Sequence, residues 1–259
     1  MAGTLLAGSF LDIRPGMVEL SVPAGQTIKG HFLIANPSSE PLHYNIEVED
    51  GWLQQVGKPS SVAPQEWFFL KIPKKRTIRP NGNKKIPYRV KVPSQLNGEV
   101  LALVFYSAPP EPGPSQSVGI QYRHGIPVYL SAKGTEKGTL SVKKSMASFT
   151  SEGRVTISVN LGLEGNAHVR PRGEWIITDF FGQEVERIPL DYGMPIFPGA
   201  GRDYMARSTR DSWATGSYKA LLSVTYGEGW GALQTFKKSF ELQVTEDKLT
   251  LRVEPAHAP

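Results

Sequence analysis

Residue types that usually carry chemistry are sparse in this chain of 259 residues. It has no cysteine, which excludes thiolate nucleophiles, thiolate metal sites and disulfides. His31, His124 and His168 are scattered, with no ligand spacing around them. His43, Asn45, Glu47 and Glu49 alternate along one segment and share a face if it is a strand. At strand rise, His43 and Glu47 then stand about 13 Å apart, too far to share one ion without a neighbouring strand. Gly199-Ala200-Gly201-Arg202-Asp203-Tyr204 begins like a dinucleotide-binding loop but lacks the third glycine and the strand-to-helix setting that seats a pyrophosphate. A Gly-x-Ser-x-Gly elbow is absent. No catalytic residue, metal or cofactor is expected, and the chain reads as a non-enzyme.

Three other groups suit binding. The first is basic: Lys71 to Lys91 holds nine Lys or Arg residues and no acid. Residues 1–135 carry 14 basic residues against 9 acidic ones, while residues 136–259 carry 15 of each. The whole net charge of +5 therefore belongs to the first half. Lys74, Lys75, Arg76, Arg79, Lys84 and Lys85 are candidates for an anionic surface such as a cell-wall polymer. The aromatic interleaving that nucleic acid requires is missing, so no nucleic-acid partner is expected. Alternatively, outward Lys85, Arg89 and Lys91 around Pro87 protect a sheet edge from unwanted pairing.

The second group is the alternating row Val118, Ile120 and Tyr122, after the proline-rich stretch Pro109 to Pro114. A last strand at a sheet edge offers unpaired N–H and C=O groups to a partner's strand, and this row would meet the partner's side chains. Ile126, Val128 and Leu130 continue the row and equally suit a sandwich core. The third group is aromatic: Phe180, Phe181 and Trp230 sit in glycine-containing turns, where rings either stay exposed to contact partners or sugars or fold back over the end of the sandwich.

The elements that must position these residues are strands. Ile86-Pro87-Tyr88-Arg89-Val90-Lys91-Val92 and Tyr218 to Tyr226 alternate apolar and polar residues with a period of two. Turn signals such as Pro23-Ala24-Gly25, Asp50-Gly51 and Pro80-Asn81-Gly82-Asn83 separate such segments. The pattern predicts an all-β chain of two tandem immunoglobulin-like β-sandwiches, residues 1–134 and 135–245, followed by a tail at 246–259. Strands are expected at 10–22, 26–36, 41–50, 66–72, 83–92, 98–107 and 116–132. In the second half they are expected at 139–149, 153–162, 166–178, 184–190, 202–209, 216–226 and 231–244. Gly216-Ser217-Tyr218 opens its strand like a tyrosine corner. No apolar run reaches the roughly 18 residues of a membrane span. Residues 1–9 lack a basic start and read as a lead-in to the first strand or the end of an export signal, with no full signal in the chain.

The order of motifs resembles bacterial extracytoplasmic proteins with two such domains, namely the periplasmic pilus-assembly chaperones and the WxL-interacting surface proteins. The residues concerned are Pro23-Ala24-Gly25-Gln26, Ile34-Ala35-Asn36, Ile78 to Lys85, Val92-Pro93, Asn97-Gly98-Glu99 and Tyr122 to Leu130. In the second half they are Phe197-Pro198-Gly199 and Gly216-Ser217-Tyr218. The chaperone resemblance implies a periplasmic protein that lends its last domain-one strand to another polypeptide, a pilus subunit. It also implies a basic anchor for that subunit's terminal carboxylate, for which Arg14 and Arg123 are the candidates by position. The surface-protein resemblance implies a cell-surface location, with domain one on the cell wall and domain two on a protein partner.

Overall fold

The computed structural model describes residues 12–108, 123–191, 194–230, 232–246 and 248–253. The chain divides into two compact units, Met1–Thr135 and Glu136–Pro259. Both are β-sandwiches, so the all-β expectation holds.

Unit one contains β1 (Asp12–Arg14), β2 (Val18–Val22), β3 (Thr27–Ala35), β4 (Leu42–His43) and β5 (Asn45–Asp50). Two short helices follow, α1 (Gly51–Val56) and α2 (Pro64–Trp67). The remaining strands are β6 (Phe68–Leu70), β7 (Thr77–Ile78), β8 (Asn83–Lys91), β9 (Glu99–Ser107) and β10 (Arg123–Ala132). One sheet has the order β1-β3-β8-β6 and the other β2-β10-β9-β5, while β4 and β7 form a small ladder. Alternation works as expected: Phe32, Ile34, Tyr44, Ile46, Ile86, Val90 and Val92 are buried, and Ile28, Val48 and Tyr88 pack against them. Fully burying a side chain of this size contributes about 1.5–3 kcal/mol.

Three of the departures from the sequence reading bear on how the site is placed. The single first strand expected at 10–22 is broken at Pro15-Gly16, where Pro15 can donate no ladder hydrogen bond. Its two pieces serve different sheets: β1 runs antiparallel to β3, and β2 runs parallel to β10. Second, Asp50-Gly51 is a helix start rather than a turn. The Asp50 carboxylate accepts from the N–H groups of Trp52 (3.0 Å) and Leu53 (3.2 Å), capping α1. Third, β8 is an interior strand with β3 on one side and β6 on the other, so its outward Lys85, Arg89 and Lys91 guard no edge. Pro87 is tolerated there because the side of β8 it faces is the end of β6, where its carbonyl accepts the Lys71 N–H (2.9 Å).

Unit two contains β11 (Gly138–Phe149), β12 (Val155–Gly165), β13 (Arg172–Thr178) and β14 (Glu184–Pro189). It continues with β15 (Gly201–Arg207), β16 (Gly216–Tyr226), β17 (Gln234–Val244) and β18 (Leu249–Val253). The sheets are β11-β12-β15 and β14-β13-β16-β17-β18. Trp175 is fully buried between them, edge-on to Phe240 with ring centroids 5.0 Å apart. The Tyr218 hydroxyl donates to the Ala214 carbonyl (2.9 Å), the upstream backbone bond of a tyrosine corner. The tail expected from residue 246 contains a further strand, β18, which pairs with β17 from Phe240–Val253 to Val244–Leu249. Thr245 turns the chain, its N–H donating to the Lys248 carbonyl (2.9 Å), and Leu249 then re-enters the core.

Candidate functional site

β10 is the strand on which the partner-binding expectation rests. It lies antiparallel to β9 along its length, from Arg123 opposite Ser107 to Ser131 opposite Glu99. On its other side β2 pairs only from Val128 to Ala132. Because β1 belongs to the other sheet, residues 123–127 have no strand on that side among the described residues. Val118, Ile120 and Tyr122 lie outside the described residues. The later part of their row points inward: Ile126, Val128 and Leu130 are fully buried.

The exposed start of β10 is held on its outer face by side chains. Gly125 stands opposite Phe105, which in turn stands opposite Glu47 of β5. A Cβ on Gly125 would come within 2.8 Å of the Phe105 ring, so glycine lets that ring lie along the sheet. The Arg123 guanidinium carbon sits 3.5 Å from the Phe105 ring centroid. Arg123 also donates to Glu49 and, at 2.9 Å, to Glu47. These hydrogen bonds, to Glu49 first and then Glu47, push the Arg123 pKa up from its ordinary value. The clamp thus ties β10, β9 and β5 together where β2 is missing.

The two arginines expected to anchor a carboxylate stand on different sheets, Arg14 on β1 and Arg123 on β10. Neither is a free cation. Arg14 pairs with Asp12 at 3.0 Å, and Arg123 is engaged by two carboxylates.

The basic candidates are spread around the β6–β8 region. Lys74, Lys75 and Arg76 occupy the exposed segment between β6 and β7, where Arg76 donates to the Asn45 side chain (3.3 Å). Lys84 reaches the Lys75 carbonyl (3.0 Å), and Arg79 is exposed beside Gly82. Lys85 points outward from β8.

The aromatic candidates separate. Phe180 and Phe181 are 82% and 90% exposed at the β13–β14 hairpin tip. The Asp179 carboxylate stiffens that tip by accepting from the N–H groups of Phe181 and Gln183, both at 2.9 Å. Trp230, in contrast, folds back. Its ring covers Gly138 and Gly227 and meets Tyr226 edge-on, so it packs on the core instead of presenting a contact surface. The described residues hold no group of three or more His, Asp or Glu able to share a metal ion. Among the described residues, no helix is long and apolar enough to cross a membrane.

Sequence reasoning missed Glu47, Glu49 and Phe105 as members of the β10 clamp. The carboxylates read as a solvated face, and only the register of β5 on β9 brings them to Arg123. It also left Lys29 outside the basic stretch, because Lys29 joins that stretch only through the pairing of β3 with β8.

No family model matches the sequence, and neither does any curated protein. Solved structures with a similar arrangement of strands exist. One is a chain from a chaperone–tip adhesin complex of CFA/I fimbriae biogenesis, at 14% identity, covering 89% of this chain and 98% of that one with a TM-score of 0.48. The Escherichia coli chaperone DraB matches at 13% identity over 88% of this chain and 97% of its own, TM-score 0.44. A Salmonella enterica structure of the SafA pilin with the SafB chaperone matches at 14% identity, over 91% and 97%, TM-score 0.43.

Proposed function

We propose that this protein is a non-enzymatic binding module that takes up an extended segment of another polypeptide as an added strand beside β10. Its role is chaperone-like, in the assembly of pilus or other extracytoplasmic proteins, in the periplasm or at the cell surface. The observation that supports this reading is the half-paired β10: among the described residues, 123–127 have β9 on one side and no strand on the other. A guest strand would supply the missing ladder, and Val118, Ile120 and Tyr122, just upstream, would read its alternate side chains. The clamp of Arg123 on Phe105, Glu47 and Glu49 holds this segment in strand form before a guest arrives, which reduces the ordering cost of binding.

The test is complex formation with a pilus-type subunit from the same host, followed by backbone amide exchange. Exchange at residues 123–126 should slow on binding, and Ile120→Lys should abolish the complex while the free protein still folds. A complex that survives Ile120→Lys, with exchange at 123–126 unchanged, overturns the reading.

A further inference from the structure

The outer face of the β1-β3-β8-β6 sheet has a charge distribution that strand addition does not use. Lys29 of β3 stands directly opposite Arg89 of β8, and Arg89 directly opposite Phe69 of β6. Lys91 stands opposite Thr27, and Lys85 opposite Leu33, on the same face. The exposed segment after β6 adds Lys71, Lys74 and Lys75 at the sheet margin. The strands of this sheet carry one carboxylate, Asp12, and Arg14 occupies it. Among the described residues, no carboxylate lies within 4.0 Å of Lys29 or of any of the nine basic residues from Lys71 to Lys91. Elsewhere Arg123, Arg154, Arg172 and Arg187 each pair with an acid.

Like charges directly opposite on neighbouring strands destabilise a sheet. The Lys29–Arg89 pair has no carboxylate to relieve it, and edge protection does not account for it, because β8 is interior. The same margin exposes apolar groups. Phe69 is 36% exposed with the Arg89 guanidinium 4.7 Å from its centroid, and Ile72 is 40% exposed.

We propose that this face docks on an anionic phospholipid bilayer. A sheet face presents its cations broadly rather than around a groove, which suits a surface of headgroups. Each Lys or Arg brought to such a surface strengthens binding roughly fivefold. Phe69 and Ile72 supply the apolar contact at the headgroup boundary that a soluble polyanion or an acidic peptide would leave unused.

The experiment is co-sedimentation of the full chain with phosphatidylcholine vesicles with or without phosphatidylglycerol, over a salt series. Binding to the anionic vesicles alone is expected, weakening steeply with salt. Lys29→Glu with Arg89→Glu should weaken it at least tenfold, and Lys85→Glu with Lys91→Glu comparably. Lys219→Glu with Lys237→Glu, equal in charge but in unit two, should change it less than twofold. Phe69→Ser should weaken vesicle binding several-fold while leaving inorganic polyphosphate binding unchanged. Circular dichroism verifies that each variant is folded. The proposal is overturned if anionic vesicles retain no protein, or if the unit-two variant loses as much binding as the sheet-face variants. It is equally overturned if Phe69→Ser has no effect and polyphosphate displaces the vesicles, which would identify a polyanion site.

Discussion

The Arg123 guanidinium lies 3.5 Å from the centroid of the Phe105 ring, and the same side chain donates to Glu47 and Glu49. That stack sits where β10 has lost its β2 neighbour. It stands in for a missing strand by holding β10 to β9 and β5 through side chains. Arg123→Ala should therefore accelerate amide exchange at residues 123–126 at least tenfold. Exchange in the doubly paired stretch 128–132 should change little, because the stack contributes locally and not to global stability. Equal acceleration along all of β10 would count against a local clamp.

Tyr106 is fully buried, and the described residues offer its hydroxyl no hydrogen bond. Burial, and Tyr44 nearby, push its pKa up. Burying an unpaired hydroxyl costs about 1–3 kcal/mol in proteins. Tyr106→Phe keeps the ring, including its edge contact with Phe32, and removes the unpaired group. Unfolding in urea should show unit one unchanged or more stable, by up to about 2 kcal/mol. A loss of more than about 1 kcal/mol would reveal that the hydroxyl does find a partner.

In unit two, burial pushes the Tyr204 phenol up from 10.0 to about 12, against the opposing charges of Arg202 and Arg170. The neutral form is the one the fold retains. Between about pH 10 and about 12 the unfolded chain releases this proton while the native state keeps it, so stability falls as pH rises through that window. Below the ordinary phenol value the contribution is fully present. Tyr204→Phe should flatten the alkaline decline of unit two in pH-dependent urea unfolding, at the cost of the hydrogen bond to the Met194 carbonyl (3.0 Å).

Gly173 lies on β13 opposite Val224, and a Cβ there would stand 2.2 Å from the Ser223 carbonyl oxygen. The obstruction is backbone, so no side chain can rotate away. Gly173→Ala should separate β13 from β16 locally and destabilise unit two by about 1–3 kcal/mol, within the range of overpacked cores. A chemical denaturation midpoint identical to that of the unaltered protein would contradict this contact.

Much of the architecture was legible because a period of two, punctuated by Gly, Pro and Asn, leaves few alternatives. Phe32, Ile86 and Val90 could be placed inside from local pattern alone. What escaped depends on contacts between distant segments. The division of the first strand between two sheets follows from where β3 and β10 lie, and nothing around Pro15-Gly16 names those partners. The helix at Gly51–Val56 is too short to show a period and rests on the Asp50 cap. β18 is short and follows a polar turn, so its residues read from sequence only as part of a tail. At the candidate site, Arg123 was recognisable as a cation, but its saturation by Glu47 and Glu49 depends on register across three strands. Lys29 escaped for the same reason, since it stands far from Arg89 in sequence and directly beside it in the sheet.

β18 has a further consequence. It covers the outer side of β17 at Phe240–Val244, the half of β17 nearest the Thr245 turn. Ending the polypeptide at Thr245 would unzip that seam and leave a raw hydrogen-bonding margin in solution. Such a shortened chain should self-associate as its concentration rises, so light scattering would register particles well before any loss of ellipticity.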